Sequence, residues 1–233
     1  MESRRADRAS QRLPELPSLN TGIHLLESDR TRGPLHALVL DRALTEPGPV
    51  YWIDTHGHAT TQPLARLAPD PRVLDRIHVA RGFTGFQHYA IVETLVDLVD
   101  EDASAVVCPA IDGMYRDGNL RSTEAQEMLV RVLAMLSRLA REYDLPVLLT
   151  RARVDELSEP VANLAVDRIE CQQTRMGPRF VSDDFETLVY PLGNGQVQTT
   201  LAFWEQILNA RQPLYESAQV SPPTPEVPAH GSH

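Results

Sequence analysis

The chain has 233 residues, 42% of them apolar and 23% charged, and carries a net charge of −10 at pH 7. That length can bury one sizeable α/β core, and an ordinary apolar fraction separates the chain from disordered proteins. All 22 basic side chains are arginine, and the acidic balance argues against a large DNA-binding surface while leaving room for a local arginine patch. An acidic, lysine-free composition fits a high-salt cytoplasm and fits equally a GC-rich coding sequence. No apolar run is long enough to cross a bilayer. The opening "MESRRADRASQRLPELP" has no hydrophobic segment behind its arginines, so no secretory signal is expected. Cys108 and Cys171 each lie in a strand-like apolar segment, which fits a reducing cytoplasm and no structural disulfide.

In chain order, residues 1–18 read as a flexible, charged lead, 19–212 as the folded core and 213–233 as a disordered, proline-rich tail. "IHLLE" (23–27) is a short strand, and "PLHALVLDRAL" (34–44) a helix with Pro34 in its first turn, where a missing N–H costs least. "PVYWIDT" (49–55) and "RIHVARG" (76–82) read as buried strands. "TGFQHYAIVETLVDLVDE" (84–101) is a helix with Thr84 and Gln87 at capping-box spacing and Val92, Leu95, Val96 and Val99 as its apolar stripe. "SAVVCPA" (104–110) is the next buried strand. The segment 122–143 is the strongest helix: Thr123 and Gln126 repeat the capping-box spacing, and Ala125, Met128, Leu129, Val132, Leu136, Leu139 and Ala140 face one way. "PVLLT" (146–150) is a fourth strong strand. Beyond residue 164 the pattern becomes short β runs: "AVDRIECQQT", "RFVS", "ETLVYPL" and "VQTTLAF". This order predicts an α/β fold with a mostly parallel twisted sheet, helices on both faces and antiparallel strands at the C-terminal end. No internal repeat is visible.

Segment by segment, residues 18–204 resemble the ATPase core of the RecA/RadA recombinases and their paralogues. "LNTGIHLLE" is similar to the turn and first core strand of that family, and "VYWIDTHGH" to its strand ending Ile-Asp-Thr-Glu-Gly. "RIHVARGFTGFQ" resembles the family's next strand and helix start, and "AVVCPAIDGMYRDGNLRSTEAQEM" its second nucleotide-binding strand, loop and long helix. Tyr115–Arg116 sits where the family has phenylalanine-arginine.

The resemblance implies nucleotide motifs that this chain does not keep. The phosphate loop G-x-x-x-x-G-K-[ST] falls on Ser28, Asp29, Arg30, Thr31, Arg32, Gly33, Pro34 and Leu35, so lysine is replaced by Pro34 and the Mg²⁺-holding hydroxyl by Leu35. Arg30 and Arg32 supply charge but not a compact ammonium, and Asp29 repels a triphosphate. The second motif falls on Pro109 and Ala110 instead of aspartate and serine. The catalytic glutamate position holds His56, and the γ-phosphate-sensing glutamine falls near Ala152. Phosphoryl transfer needs these parts together. The expectation is therefore a pseudo-ATPase with no catalytic residue, no metal and no cofactor.

"IDTHGH" invites a second reading. A His-x-His pair at a strand end, His56 and His58, is similar to the first metal motif of amidohydrolase and TatD-type enzymes, because alternate strand residues point the same way. Such a site needs further ligands, and after His88 no histidine occurs until His230. The simpler reading places His56 and His58 in a strand-end loop. Asp112 and Asp117, flanking Gly113, read as a solvated turn, Ser28 with His24 or His36 makes no nucleophile arrangement, and Cys108 reads as a small core residue.

The family's DNA-facing loops correspond to "DGMYRDGNLRST" and "RARVDELSEPVANL", which bring Arg116, Arg121, Arg151 and Arg153. These can meet a phosphate backbone, or pair with Asp155, Glu156 and Glu159. The expected function is a non-catalytic regulator or scaffold in DNA recombination, repair or replication, cytoplasmic and without membrane contact. Its partner would be another protein, a recombinase or a repair or replication factor, docking an acidic surface on Arg30, Arg32, Arg116 and Arg121. Weak nucleic-acid binding and a His56/His58 metal-dependent hydrolase are the alternatives. The lead has no phenylalanine, so the Phe-x-x-Ala route by which the family packs protomers is not expected.

Overall fold

Apolar runs bounded by turns form seven strands in one sheet: β1 (Gly22–Ser28), β2 (Val50–Asp54), β3 (Ile77–Arg81), β4 (Ala105–Cys108), β5 (Pro146–Leu149), β6 (Asp167–Thr174) and β7 (Gly177–Val181). This computed structural model describes residues 14–116, 120–174, 177–187 and 200–220. The strand order is β3-β2-β4-β5-β1-β6-β7. Every neighbouring pair is parallel except β6 with β7, which is antiparallel. The architecture is the expected α/β fold, consistent with a RecA-like core.

The helices are α1 (Arg32–Thr45), α2 (Thr61–Leu67), α3 (Gly85–Leu98), α4 (Ser122–Glu142), α5 (Glu159–Leu164), α6 (Thr200–Ala210) and α7 (Gln212–Val220). Strand alternation divides the core between the two faces of the sheet. Leu26, Trp52, Val107 and Leu148 pack on one side with α1, α2, α6 and α7. Leu25, Ile53, Val106 and Leu149 pack on the other with α3, α4 and α5. Cys108 is wholly buried and unbridged, as is Cys171, and burial raises both thiol pKa values, that of Cys171 to about 12.

At the start of α3, Thr84 Oγ1 accepts the Gln87 N–H at 3.2 Å, while Gln87 Oε1 accepts the N–H of Phe83 at 3.0 Å. Thr84 thus caps one first-turn donor, while Gln87 reaches the residue ahead of the N-cap and not the Thr84 N–H of a strict capping box. The α4 stripe is buried as its spacing predicts, but α4 begins at Ser122 after Arg121 and has no side-chain cap, so the Thr123/Gln126 spacing is not a capping box.

Three other expectations change. β3 is not buried: it is the edge strand, with four of its five residues exposed. "VQTTLAF" is not a strand where it is described, because α6 begins at Thr200. Trp204, Ile207 and Leu208, spaced i, i+3, i+4, bury one helical face that only the residues beyond Phe203 reveal. The stretch from 213 is not uniformly a tail: α7 covers 212–220 and buries Tyr215, while 221–233 lie outside the described residues, as do most of the lead and of "ETLVYPL". No helix among the described residues is long and apolar enough to cross a membrane.

Candidate functional site

In open parallel sheets, ligands bind at the carboxyl ends of the strands. Here the ends of β1, β2, β4 and β5 are stitched to one another. β1 passes through a turn at residues 29–31 into α1, where Thr31 Oγ1 donates to the Ser28 carbonyl at 3.3 Å and the Leu35 N–H donates to the Thr31 carbonyl at 3.0 Å. Pro34 contributes no N–H to this helix start, and Leu35 is fully buried in the core. A helix N-terminus holds phosphate through uncommitted N–H groups. In the first four residues of α1 only Arg32 and Gly33 retain one.

Beyond β2 the chain reverses through two residues with positive φ, His56 at 57° and Gly57 at 71°. The strand alternation that would align His56 with His58 therefore stops at Asp54. His56 is exposed, and its ring lies over Gly113, where an added Cβ would come within 2.7 Å of Cε1. His58 is half-buried, and its carbonyl accepts a hydrogen bond from His36 Nε2 at 2.8 Å. Burial lowers the pKa of both His36 and His58. Asp54, wholly buried, accepts the Ala59 N–H at 2.9 Å and the Arg81 Nε at 2.8 Å. Its carboxylate shapes the loop. Among the described residues no group of three His, Cys, Asp or Glu side chains could hold a metal ion.

β4 and β5 end in a second set of bonds. Thr55 Oγ1 donates to the Pro109 carbonyl at 2.7 Å, and the Ala110 N–H donates to Thr150 Oγ1 at 2.7 Å. Ala110 itself is left-handed, with φ 46°. Pro109 and Ala110 thus bond the residues that follow β2 and β5. Ala152, near which the resemblance would put a glutamine, gives its N–H to Asp112 Oδ1 at 2.6 Å.

Asp112 is the hub that the sequence reading missed. It is wholly buried and not a solvated turn residue. Its Oδ2 accepts Arg116 Nε at 2.6 Å, and Arg116 in turn forks onto Asp155. These carboxylates raise the Arg116 pKa, the Asp155 bond being the largest cause, and Arg116 holds Asp155 down to about 2. Arg151 pairs with Glu27 across β5 and β1. Asp117 lies outside the described residues.

The arginine face therefore contracts. Arg116 and Arg151 are committed to internal carboxylates and hold loops in place. Arg30, Arg32, Arg121 and Arg153 are exposed and make no ion pair with a described residue. Asp29 and Thr31 lie in the turn beside the first two of these. Glu156 and Glu159 make no such pair either; only Asp155 of the three expected carboxylates does.

A second feature was not read from the sequence. Phe83 and Phe86 are 69% and 54% exposed at the start of α3. A residue before an N-cap commonly packs on the fourth helical residue. That residue is His88, which is buried instead against Tyr115, with Nδ1 2.7 Å from the phenolic oxygen. Phe83 is left without its usual seat. Two aromatic residues, one just before Thr84 and one just before Gln87, were the available signal.

Compared with known proteins, the chain matches no family model and no curated sequence.

Proposed function

We propose that this chain is a non-catalytic, RecA-like protein that acts by binding another protein, as a regulator or scaffold in DNA recombination, repair or replication. The observation that carries the first half is the seat of Pro34 and Leu35. Both are buried, and Leu35 is part of the core where the sequence resemblance would put a magnesium-holding hydroxyl. An apolar side chain in that seat cannot turn toward a ligand without opening a cavity. The second half rests on Arg30, Arg32, Arg121 and Arg153, exposed in the segments that follow β1, β4 and β5 and in no ion pair with a described residue, on a chain of net charge −10. Exposed arginines favour an acidic protein surface and set on-rate and orientation more than affinity.

The test has two arms. Calorimetry with Mg²⁺-ATP should give neither heat of binding nor turnover; saturable micromolar binding refutes the pseudo-ATPase reading. Capture from high-salt lysate should return an acidic partner that is lost when Arg30, Arg32, Arg121 and Arg153 are changed to Glu. Binding to single-stranded oligonucleotide, with affinity falling by a slope of about −0.7 per neutralised phosphate, would instead favour a nucleic-acid role.

A further inference from the structure

A polar cavity of about 300 Å³ lies between α1 and the segment that leads into β1. One wall is a single face of α1 and its C-cap, formed by Leu38, Arg42, Thr45 and Glu46 at i, i+4, i+7 and i+8. The other is a strap of chain, residues 16–20. The strap is held where the Pro14 carbonyl accepts Arg211 Nη1 at 2.7 Å and where the Leu19 carbonyl faces Arg42 Nη1 at 3.4 Å. Asn20 leads into β1, and Ser104, bonded to Arg42, leads into β4. The cavity therefore sits at the amino ends of the strands, opposite the loops that carry Arg30, Arg121 and Arg153. Its volume is at the small end of the range that ligand pockets span.

Four charged groups line this cavity, and two of them are spent. Asp41 and Arg211 fork onto each other, and Tyr215 completes the partners of the carboxylate. Arg42 and Glu46 are different. Their approach, Nη1 to Oε1, is 3.6 Å, too long for a hydrogen bond. Arg42 makes one good bond, Nε to the Ser104 carbonyl at 3.1 Å, and its Nη2 donates to no described residue. The Arg42 side chain is only 24% exposed, and burial lowers its pKa more than Glu46 and Asp41 raise it. Glu46 is exposed at the C-terminal end of α1, where the helix dipole favours a cation. A guanidinium and a carboxylate thus stand side by side, each short of a partner.

We infer that this cavity binds a small zwitterion of the α-amino acid class. The ligand carboxylate lies against Nη1 and Nη2 of Arg42, the two-bond arrangement that a guanidinium favours. The ligand ammonium lies against Glu46. The Thr45 hydroxyl gives its proton to the Asp41 carbonyl at 2.9 Å, so its oxygen is left to accept from the same ammonium. A lone anion would be repelled by Glu46 and a lone cation by Arg42, so both poles are needed together. Leu16 and Leu38, both buried, offer an apolar wall to a short side chain. The bound molecule would join the strap to α1 and so steady the approach to β1.

Calorimetric titration of the full chain with L-alanine tests this directly. Saturable binding is expected, with a millimolar dissociation constant ordinary for a ligand of so few atoms. Propionate, which lacks the ammonium, and alanine amide, which lacks the carboxylate, should give no saturable heat. Arg42 also holds the Ser104 carbonyl, so its variants can fail to fold; the exposed Glu46 is the safer probe. Glu46→Gln should weaken alanine by about tenfold or more, the scale of one hydrogen bond between charged groups, with an unchanged circular dichroism spectrum. Ser18→Trp, which fills the cavity from the strap, should abolish binding. No saturable heat with alanine overturns the inference. Propionate or alanine amide binding as well as alanine overturns it too, since one pole would then suffice. So does alanine binding that neither variant changes, because the site would lie elsewhere. None of these results bears on nucleotide or partner binding, so the proposed function stands or falls separately.

Discussion

Arg116 grips Asp155 with two parallel hydrogen bonds, Nη1 to Oδ2 at 2.6 Å and Nη2 to Oδ1 at 2.8 Å, while its Nε holds the buried Asp112. A planar guanidinium can serve both carboxylates at once, which an ammonium cannot do with the same geometry. Arg116→Ala should therefore destabilise the fold by about 2–3 kcal/mol, chiefly because it leaves the Asp112 carboxylate buried without a cation. Arg116→Lys should recover little of this. Asp155→Asn should cost less, since Asp155 is exposed. Urea unfolding of the three variants checks the order. It follows that reversing Arg116 to Glu cannot separate a lost interface from a damaged fold.

Arg211 makes the second internal fork, Nε and Nη2 to the two oxygens of Asp41 at 2.7 and 2.9 Å, joined by Tyr215 Oη on the same carboxylate at 2.7 Å. All three residues are buried, and together they tie α7 to α1. Arg211→Ala should cost about 3 kcal/mol by stranding Asp41, and Tyr215→Phe about 1.5 kcal/mol. The double variant should fall short of the sum, because both act on one carboxylate. Chemical denaturation gives all three values.

Burial holds the His88 imidazole down to about 4, from an ordinary 6.5. The unfolded chain binds this proton near pH 6.5 and the native protein only near 4, so stability is complete above the first value and declines as pH falls toward the second. The decline amounts to about 3 kcal/mol across the window. His36 and His58, lowered by burial too, act in the same direction. His88→Gln keeps a polar group facing Tyr115 and removes the titration. Its melting temperature should drop less than that of wild type between roughly pH 7 and pH 4.5. Equal drops would show that His88 does not control acid stability.

The strand-end histidines should bind no structural metal. Protein freed of metal with a chelator should melt at the same temperature with and without one equivalent of zinc, and His56→Ala with His58→Ala should leave that comparison unchanged. A zinc-dependent rise in melting temperature lost in the double variant would restore the metal reading.

Where pattern and period dominate, the sequence was legible. Seven apolar residues on α4 named its buried face, and the runs at β1, β2, β4 and β5 named the sheet. What stayed hidden is long in range or depends on the sign of one torsion. Asp112 finds its partner at Ala152, 40 residues on, and Arg116 finds Asp155 across 39, so no local spacing encodes either bond. The His56/His58 pair looked like ligands because alternation was extended past Asp54, and the positive φ of His56 ends it. β3 resembled a buried strand because its composition suits one; only the strand order makes it an edge. The letters at Pro34 and Leu35 carried the expectation of a degenerate phosphate loop, and the fold adds that both side chains are buried.

The Pro14 carbonyl accepts a hydrogen bond from Arg211 Nη1 at 2.7 Å, so the first described residue is held at the junction of α6 and α7. From there α7 extends nine residues, on the order of 14 Å. A bridge of about half a dozen residues is enough to span that distance and join Val220 back to Pro14. The backbone can then be cut at a solvent-facing turn, such as Glu101–Asp102 between α3 and β4, without removing a strand or a core side chain. Such a circularly permuted chain should reach the same native structure, because the order in which these strands are threaded is separable from the way they pack.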